Sequence, residues 1–226
     1  MKRLCLFISI VLCCILSYGQ YDAATYAKTC QQQTENAVIR QYHLVEPFFR
    51  EAYKLYPTVP RGVLEAVAFT YSRFYHLSPK IEEDTSGQIP PTYGVMGLTL
   101  DGKGYFRENL KLVSQLSGYS MDQIVSSPRD NVVAYAAAYA ALQKQMGITS
   151  KNMSDQFPIL DALSELPVPV DKTHDFVIQS QHYAFCLFVN HARYRMEIPM
   201  EINQVDTRQV FGTMLPILQS GFISIF

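Results

Sequence analysis

The chain has 226 residues, 48% of them hydrophobic, with 19 basic and 20 acidic side chains. A nucleic-acid binder gains affinity by neutralising phosphates and needs a basic surface. This near-neutral balance, with no Lys/Arg cluster beyond the N-terminus, excludes that class.

Lys2 and Arg3 precede an apolar run from Leu4 to Leu16, and Ser17-Tyr18-Gly19 supplies small residues where a signal peptidase reads. The expectation is a Sec-type signal peptide over residues 1–19, cleaved near Gly19-Gln20, and a secreted or periplasmic product. The run is shorter than the ~20 residues of a membrane helix, and no second run follows, so no stable membrane span is expected. Leu12 and Cys13 stand where a lipobox ending at Cys14 would want small residues. Removing Lys2 and Arg3 leaves 17 basic against 20 acidic side chains, a formal charge of −3. The remaining length of about 200 residues suits one compact core. Two cysteines remain, Cys30 and Cys186. In an oxidising compartment they pair if their Cα atoms come within about 7 Å. A disulfide and two separate buried thiols are both open on the sequence.

Apolar residues recur at helical spacing almost throughout, without sustained strand alternation, which predicts an all-α fold. A first helix is expected from Thr25 to Tyr56, with a break at Glu46-Pro47. It closes residues 20–56, an N-terminal helical segment ahead of a core over 57–150. A second helix is expected from Arg61 to Leu77, followed by the polar, proline-bearing loop SPKIEEDTSGQIPPTYG and the short turn GVMGL. GYFRENLKLVSQLSG reads as an amphipathic helix, SMDQIVSS as a short helix capped by Ser120 with Gln123, and SPRDNVVAYAAAYAALQKQMG as a helix from Pro128 to Gly147. Residues 151–226 read as a helical extension leading toward a further domain. A long helix there ends at Met196, and the tail is apolar but irregular, with a short packed strand as one expectation for GFISIF.

The five histidines, His43, His76, His174, His182 and His191, form no HExxH pair and no Cys/His cluster at ligand spacing. No metal and no cofactor is expected. There is no GxSxG elbow and no glycine-rich phosphate loop; Ser72 lies inside a helix.

Three blocks stand in order: PRGVLEAVAFTYSRF, then YGVMGL after about fifteen residues, then NVVAYAAAYAALQ after about thirty more. Together they resemble the lysozyme-like domain of soluble lytic transglycosylases and goose-type lysozymes. The match falls on Ala66-Val67-Ala68, Ser72 and Phe74, on Gly94-Val95-Met96, and on Asn131-Val132 with its alanine run. With DGKGYFRENL between them, the blocks also resemble the region ahead of the zinc amidase domain in some secreted bacterial N-acetylmuramoyl-L-alanine amidases. The resemblance implies a lysozyme-like core directed at peptidoglycan glycan strands, with a downstream amidase domain as a further partner.

The family's general acid stands before the serine, and here that position is Tyr71. A phenol with an ordinary pKa near 10 is a poor proton donor to a glycosidic oxygen, for which glycosidases raise a carboxyl to about 6. Gly97 stands where the family has Gln. At about 100° per residue Glu65 lies about 240° from Tyr71, so it is expected on the helix surface, near Arg61. The implied substrate-binding residues are Tyr71, Ser72, Tyr93, Gly94, Met96 and Asn131. The expectation is a domain that holds glycan without cleaving it. The alternatives are an active transglycosylase or muramidase that recruits Glu82, Glu83 or Asp84, since glycoside hydrolysis needs paired carboxylates, and a helical protein-interaction module.

Overall fold

The computed structural model describes residues 23–78, 90–168 and 171–222. The expected signal peptide, the acids Glu82, Glu83 and Asp84, and the last four residues lie outside them. The class is all-α, with 68% of the described residues helical and 4% in strand. Contacts divide the chain between Ala37 and Val38 into two units. In the first, residues 24–34 of the opening helix are exposed except for the half-buried Cys30.

That helix, α1, runs Ala23–Leu55 straight through Pro47; the expected break is absent. Pro47 cannot donate to the carbonyl of His43, a loss that costs ~3 kcal/mol in a helix interior. Both residues lie on the exposed side, where water reaches the orphaned carbonyl. In the second unit Val38, Tyr42, Val45, Phe49 and Ala52 form a buried stripe at spacings of three and four. Each large member contributes about 1.5–3 kcal/mol on burial, and the stripe holds the helix together on both sides of the proline.

Helix α2, Val63–Ser72, is almost wholly buried and stops five residues before the expected Leu77. Arg73 and Phe74 turn left-handed, at φ 53° and 68°, and their N–H groups return to the carbonyls of Phe69 and Ala68. A non-glycine residue in that region costs ~1–3 kcal/mol. Packing supplies the compensation: Phe74 is fully buried among Tyr42, Phe49, Phe69 and Phe188, with ring centroids 5.4 to 6.3 Å apart. Arg73 lays its guanidinium 4.0 Å from the Phe69 ring centroid, a cation–π contact.

Strands β1, Thr92–Tyr93, and β2, Leu98–Thr99, pair antiparallel as Thr92 with Thr99 and Tyr93 with Leu98. The expected GVMGL turn is the tip of this hairpin. Helices α3, Asn109–Ser117, and α4, Met121–Ser126, follow, the latter closed by the expected Ser120–Gln123 capping box. Helix α5, Pro128–Met146, starts at Pro128 and is ended by Gly147, as its sequence predicts, and Ser127 caps it.

Helices α6, Met153–Leu163, and α7, Lys172–Asn190, belong to the same core as α2; Phe188 of α7 lies 4.9 Å from Phe69 ring to ring. The long last helix expected to reach Met196 breaks at His191. Two side chains fix the break, one by tying it to the 205 segment and one by satisfying a helix-end carbonyl. Asn190 exchanges two 2.8 Å hydrogen bonds with the backbone of Val205. Arg195, on α8, Ala192–Glu197, donates to the carbonyl of Val189, one of the orphans every helix end leaves. The tail, expected to be irregular, folds instead into α9, Thr207–Phe211, a 3₁₀ turn, Gly212–Met214, and α10, Leu215–Phe222. Asp206 caps α9 by accepting from the N–H groups of Arg208 and Gln209. Among the described residues no helix is long and apolar enough to cross a membrane.

Candidate functional site

The three sequence blocks meet at one joint. The hydroxyl of Ser72, at the end of α2, lies 2.6 Å from the carbonyl of Val95 in the hairpin tip. Asn131, in the first turn of α5 and fully buried, accepts from the N–H of Met96 at 2.7 Å and donates to the carbonyl of Ile124 at 3.2 Å. Two glycines make the approach possible. A Cβ on Gly94 would sit 2.0 Å from the Asn131 amide nitrogen, and one on Gly97 would sit 2.3 Å from the Cβ of Tyr71. Both also have positive φ, 74° and 63°, where a side chain is strained.

This geometry sorts the residues expected to touch substrate. Ser72, Gly94, Met96 and Asn131 are buried, and the polar atoms of Ser72 and Asn131 are spent within the joint. They build the site and offer a ligand no surface. Tyr71 and Tyr93 are half-buried and retain some. The alternative acids in the 79–89 loop lie outside the described residues.

Tyr71 occupies the place that the resemblance assigns to a catalytic acid, and its neighbours are polar. Its hydroxyl accepts from Gln181 Nε2, on α7, at 2.5 Å, and its ring lies 6.4 Å from Phe185. Burial drives the phenol pKa well above its ordinary value, and the negative charge of Glu165 raises it further. The phenol therefore stays neutral. Glu165 follows α6; its carbonyl accepts from the Arg107 N–H at 2.7 Å and its carboxylate from Ser164 at 3.3 Å. The Arg107 guanidinium is drawn below its usual pKa by burial, against the opposing charges of Asp161 and Glu165. Arg107 Nε and Gln181 Oε1 are buried without a hydrogen-bond partner, so a donor and an acceptor beside Tyr71 are unspent. Sequence reasoning missed Arg107, Glu165 and Gln181. They come from three separate stretches, in no motif, and only the packing of α6 and α7 brings them to Tyr71.

Glu65 is the clearest correction. It is 2% exposed, not a surface acid, and it accepts from the Tyr53 hydroxyl and from the N–H of Gly62 at 3.0 Å. The second bond is the half of a capping box that a glycine N-cap allows. Rotation about α2 does take Glu65 away from Tyr71, but the side it turns to is covered by α1 and Tyr53. Burial raises its carboxyl to about 7, with the Tyr53 and Gly62 bonds opposing the rise. A carboxyl raised this far is what a glycosidase acid needs, yet this one is sealed from solvent. It anchors the start of α2 to Tyr53.

Cys30 and Cys186 form no disulfide. His182 is buried and lies 2.6 Å from Asp161. Among the described residues no group of three or more His, Cys, Asp or Glu is placed to hold a metal ion.

No protein-family model matches this chain, and no curated protein or solved structure matches it either.

Proposed function

We propose that this chain is a secreted, lysozyme-like domain directed at peptidoglycan. In this reading it has lost the transglycosylase acid and serves as the glycan-holding half of an amidase-type cell-wall protein. The observation that carries the reading is the joint of Tyr71, Ser72, the Gly94–Gly97 tip and Asn131. Blocks that look like a transglycosylase motif in sequence make mutual contacts that explain why each residue has its type. Strained backbone at Arg73 and Phe74 directly follows the Tyr71-Ser72 pair, and such strain gathers at functional sites. Tyr71 itself is a neutral phenol held by Gln181 and cannot do the work of a carboxylic acid at neutral pH.

The test uses the secreted form of the full chain and insoluble peptidoglycan. The protein is expected to pellet with the wall material, and retention to fall in Tyr93→Ala, whose helicity is unchanged. No anhydro-muropeptide or reducing end is expected in the supernatant. Release of such products, abolished by Glu83→Gln, would instead establish an active enzyme with a loop acid. Absence of both pelleting and product at high protein concentration would leave the protein-interaction reading in its place.

A further inference from the structure

A cavity of about 570 Å³ opens between the start of α6, the middle of α7 and the 204–210 segment, and it contains none of the joint's residues. Its size falls within the ~300–1,000 Å³ usual for small-molecule sites. Phe157 lines it with a half-buried ring backed by the buried imidazole of His182, the two rings parallel within 3° and 3.9 Å apart. The 2.6 Å contact with Asp161 fixes the imidazole from behind. A surface held in this way needs little ordering when a ligand arrives.

The polar lining is uncharged where it is free to act. Gln179, Gln204 and Gln209 are among the lining residues; their side-chain amides have no hydrogen-bond partner among the described residues, and each is both donor and acceptor. The carboxylate of Asp206 is committed to the N–H groups of Arg208 and Gln209. None of the described residues lining the cavity is a lysine or arginine, so a ligand carboxylate or phosphate would find no counter-charge. Half-buried Val210 adds apolar surface to that of Phe157.

We propose that this cavity binds a neutral saccharide carrying acetamido groups, an N-acetylhexosamine unit. The amide side chains pair with its hydroxyls and amide, and the apolar residues take the acetyl methyl and the C–H face. The inference rests on the glycan-holding reading for the origin of the sugar, and the site itself on the lining alone.

Titration of the full chain with the β-1,4 tetramer of N-acetylglucosamine, followed by calorimetry, tests it, with the glucose tetramer of the same linkage as control. Binding of the acetamido sugar is expected, and the double variant Gln179→Ala, Gln209→Ala is expected to weaken it at least about tenfold with an unchanged thermal melt. No binding at millimolar sugar would overturn the proposal, as would equal binding of both tetramers. Binding that survives the double variant but is lost in Tyr93→Ala would also overturn it, by moving the sugar to the hairpin. Pelleting with peptidoglycan keeps the two readings apart: retention without cavity binding refutes the cavity alone.

Discussion

The Tyr53 hydroxyl donates to the carboxylate of Glu65 inside the core, where α1 meets the start of α2. Both groups have pKa values raised by burial, Glu65 to about 7. An unfolded glutamate titrates near 4.3, so the folded state holds this proton more tightly. The stability Glu65 contributes is full below about pH 4 and is lost as pH rises through 7, by on the order of 3 kcal/mol in all. Glu65→Gln keeps an acceptor for Tyr53 and Gly62 and removes the titration. The variant is expected to gain ~2–3 kcal/mol on the parent between pH 5 and pH 8, measured by urea melts at both. Parallel stability curves for the two proteins across that range would show that Glu65 does not titrate in this way.

Tyr53→Phe probes the same pair from the other side. Of the groups that oppose the burial-driven rise at Glu65, the Tyr53 bond is the largest. Its removal leaves the carboxylate with the Gly62 N–H. The Glu65 titration, followed by carboxyl carbon NMR, should move above 7. The stability loss is expected to be about 1–3 kcal/mol at pH 8 and smaller at pH 5, where the carboxyl is already protonated. A loss independent of pH would assign the effect to packing instead.

Element type was legible in this sequence wherever periodicity and capping agree, as in α4 and α5, where Ser120, Pro128 and Gly147 do what their positions predict. It failed where tertiary contacts override a local signal. Pro47 reads as a break, but the stripe from Val38 to Ala52 carries the helix past it. Phe74 reads as helix interior, but a buried aromatic cluster pulls it into a left-handed turn. Glu65 failed for another reason: helical rotation says which side a residue faces, and nothing local says what covers that side. The joint was half legible, since its blocks could be picked out in order. Their meaning was not, because only distances show that Gly94 and Gly97 yield space to Asn131 and Tyr71.

Gly94→Ala and Asn131→Ala should each destabilise and should not add. The alanine at 94 pays for a positive φ and a Cβ 2.0 Å from the Asn131 amide. Asn131→Ala leaves the Met96 N–H and the Ile124 carbonyl unpaired, at about 1–3 kcal/mol each. With the amide gone the new methyl has room. The double variant is expected to lose at least ~1 kcal/mol less than the sum of the single losses. Denaturant unfolding of all four proteins gives the coupling, and strict additivity would mean that the glycine and the amide do not meet.

The two cysteines should differ sharply in reactivity. Cys186 is fully buried on α7 among core side chains, and burial alone pushes its thiol up to about 12. The thiolate is the reactive form, so at pH 8 Cys186 lacks both access and ionisation. It can be alkylated only when α7 leaves the core, and its labelling rate reports that opening. Cys30 is half-buried on α1 in the other unit, with exposed residues on either side. Iodoacetamide at pH 8 is expected to modify Cys30 first and Cys186 only as denaturant is added, with mass spectrometry of the digested peptides reading each site. Rapid modification of Cys186 in native buffer would mean that α7 opens readily, and that the core shared by Phe69, Phe185 and Phe188 is looser than these contacts imply.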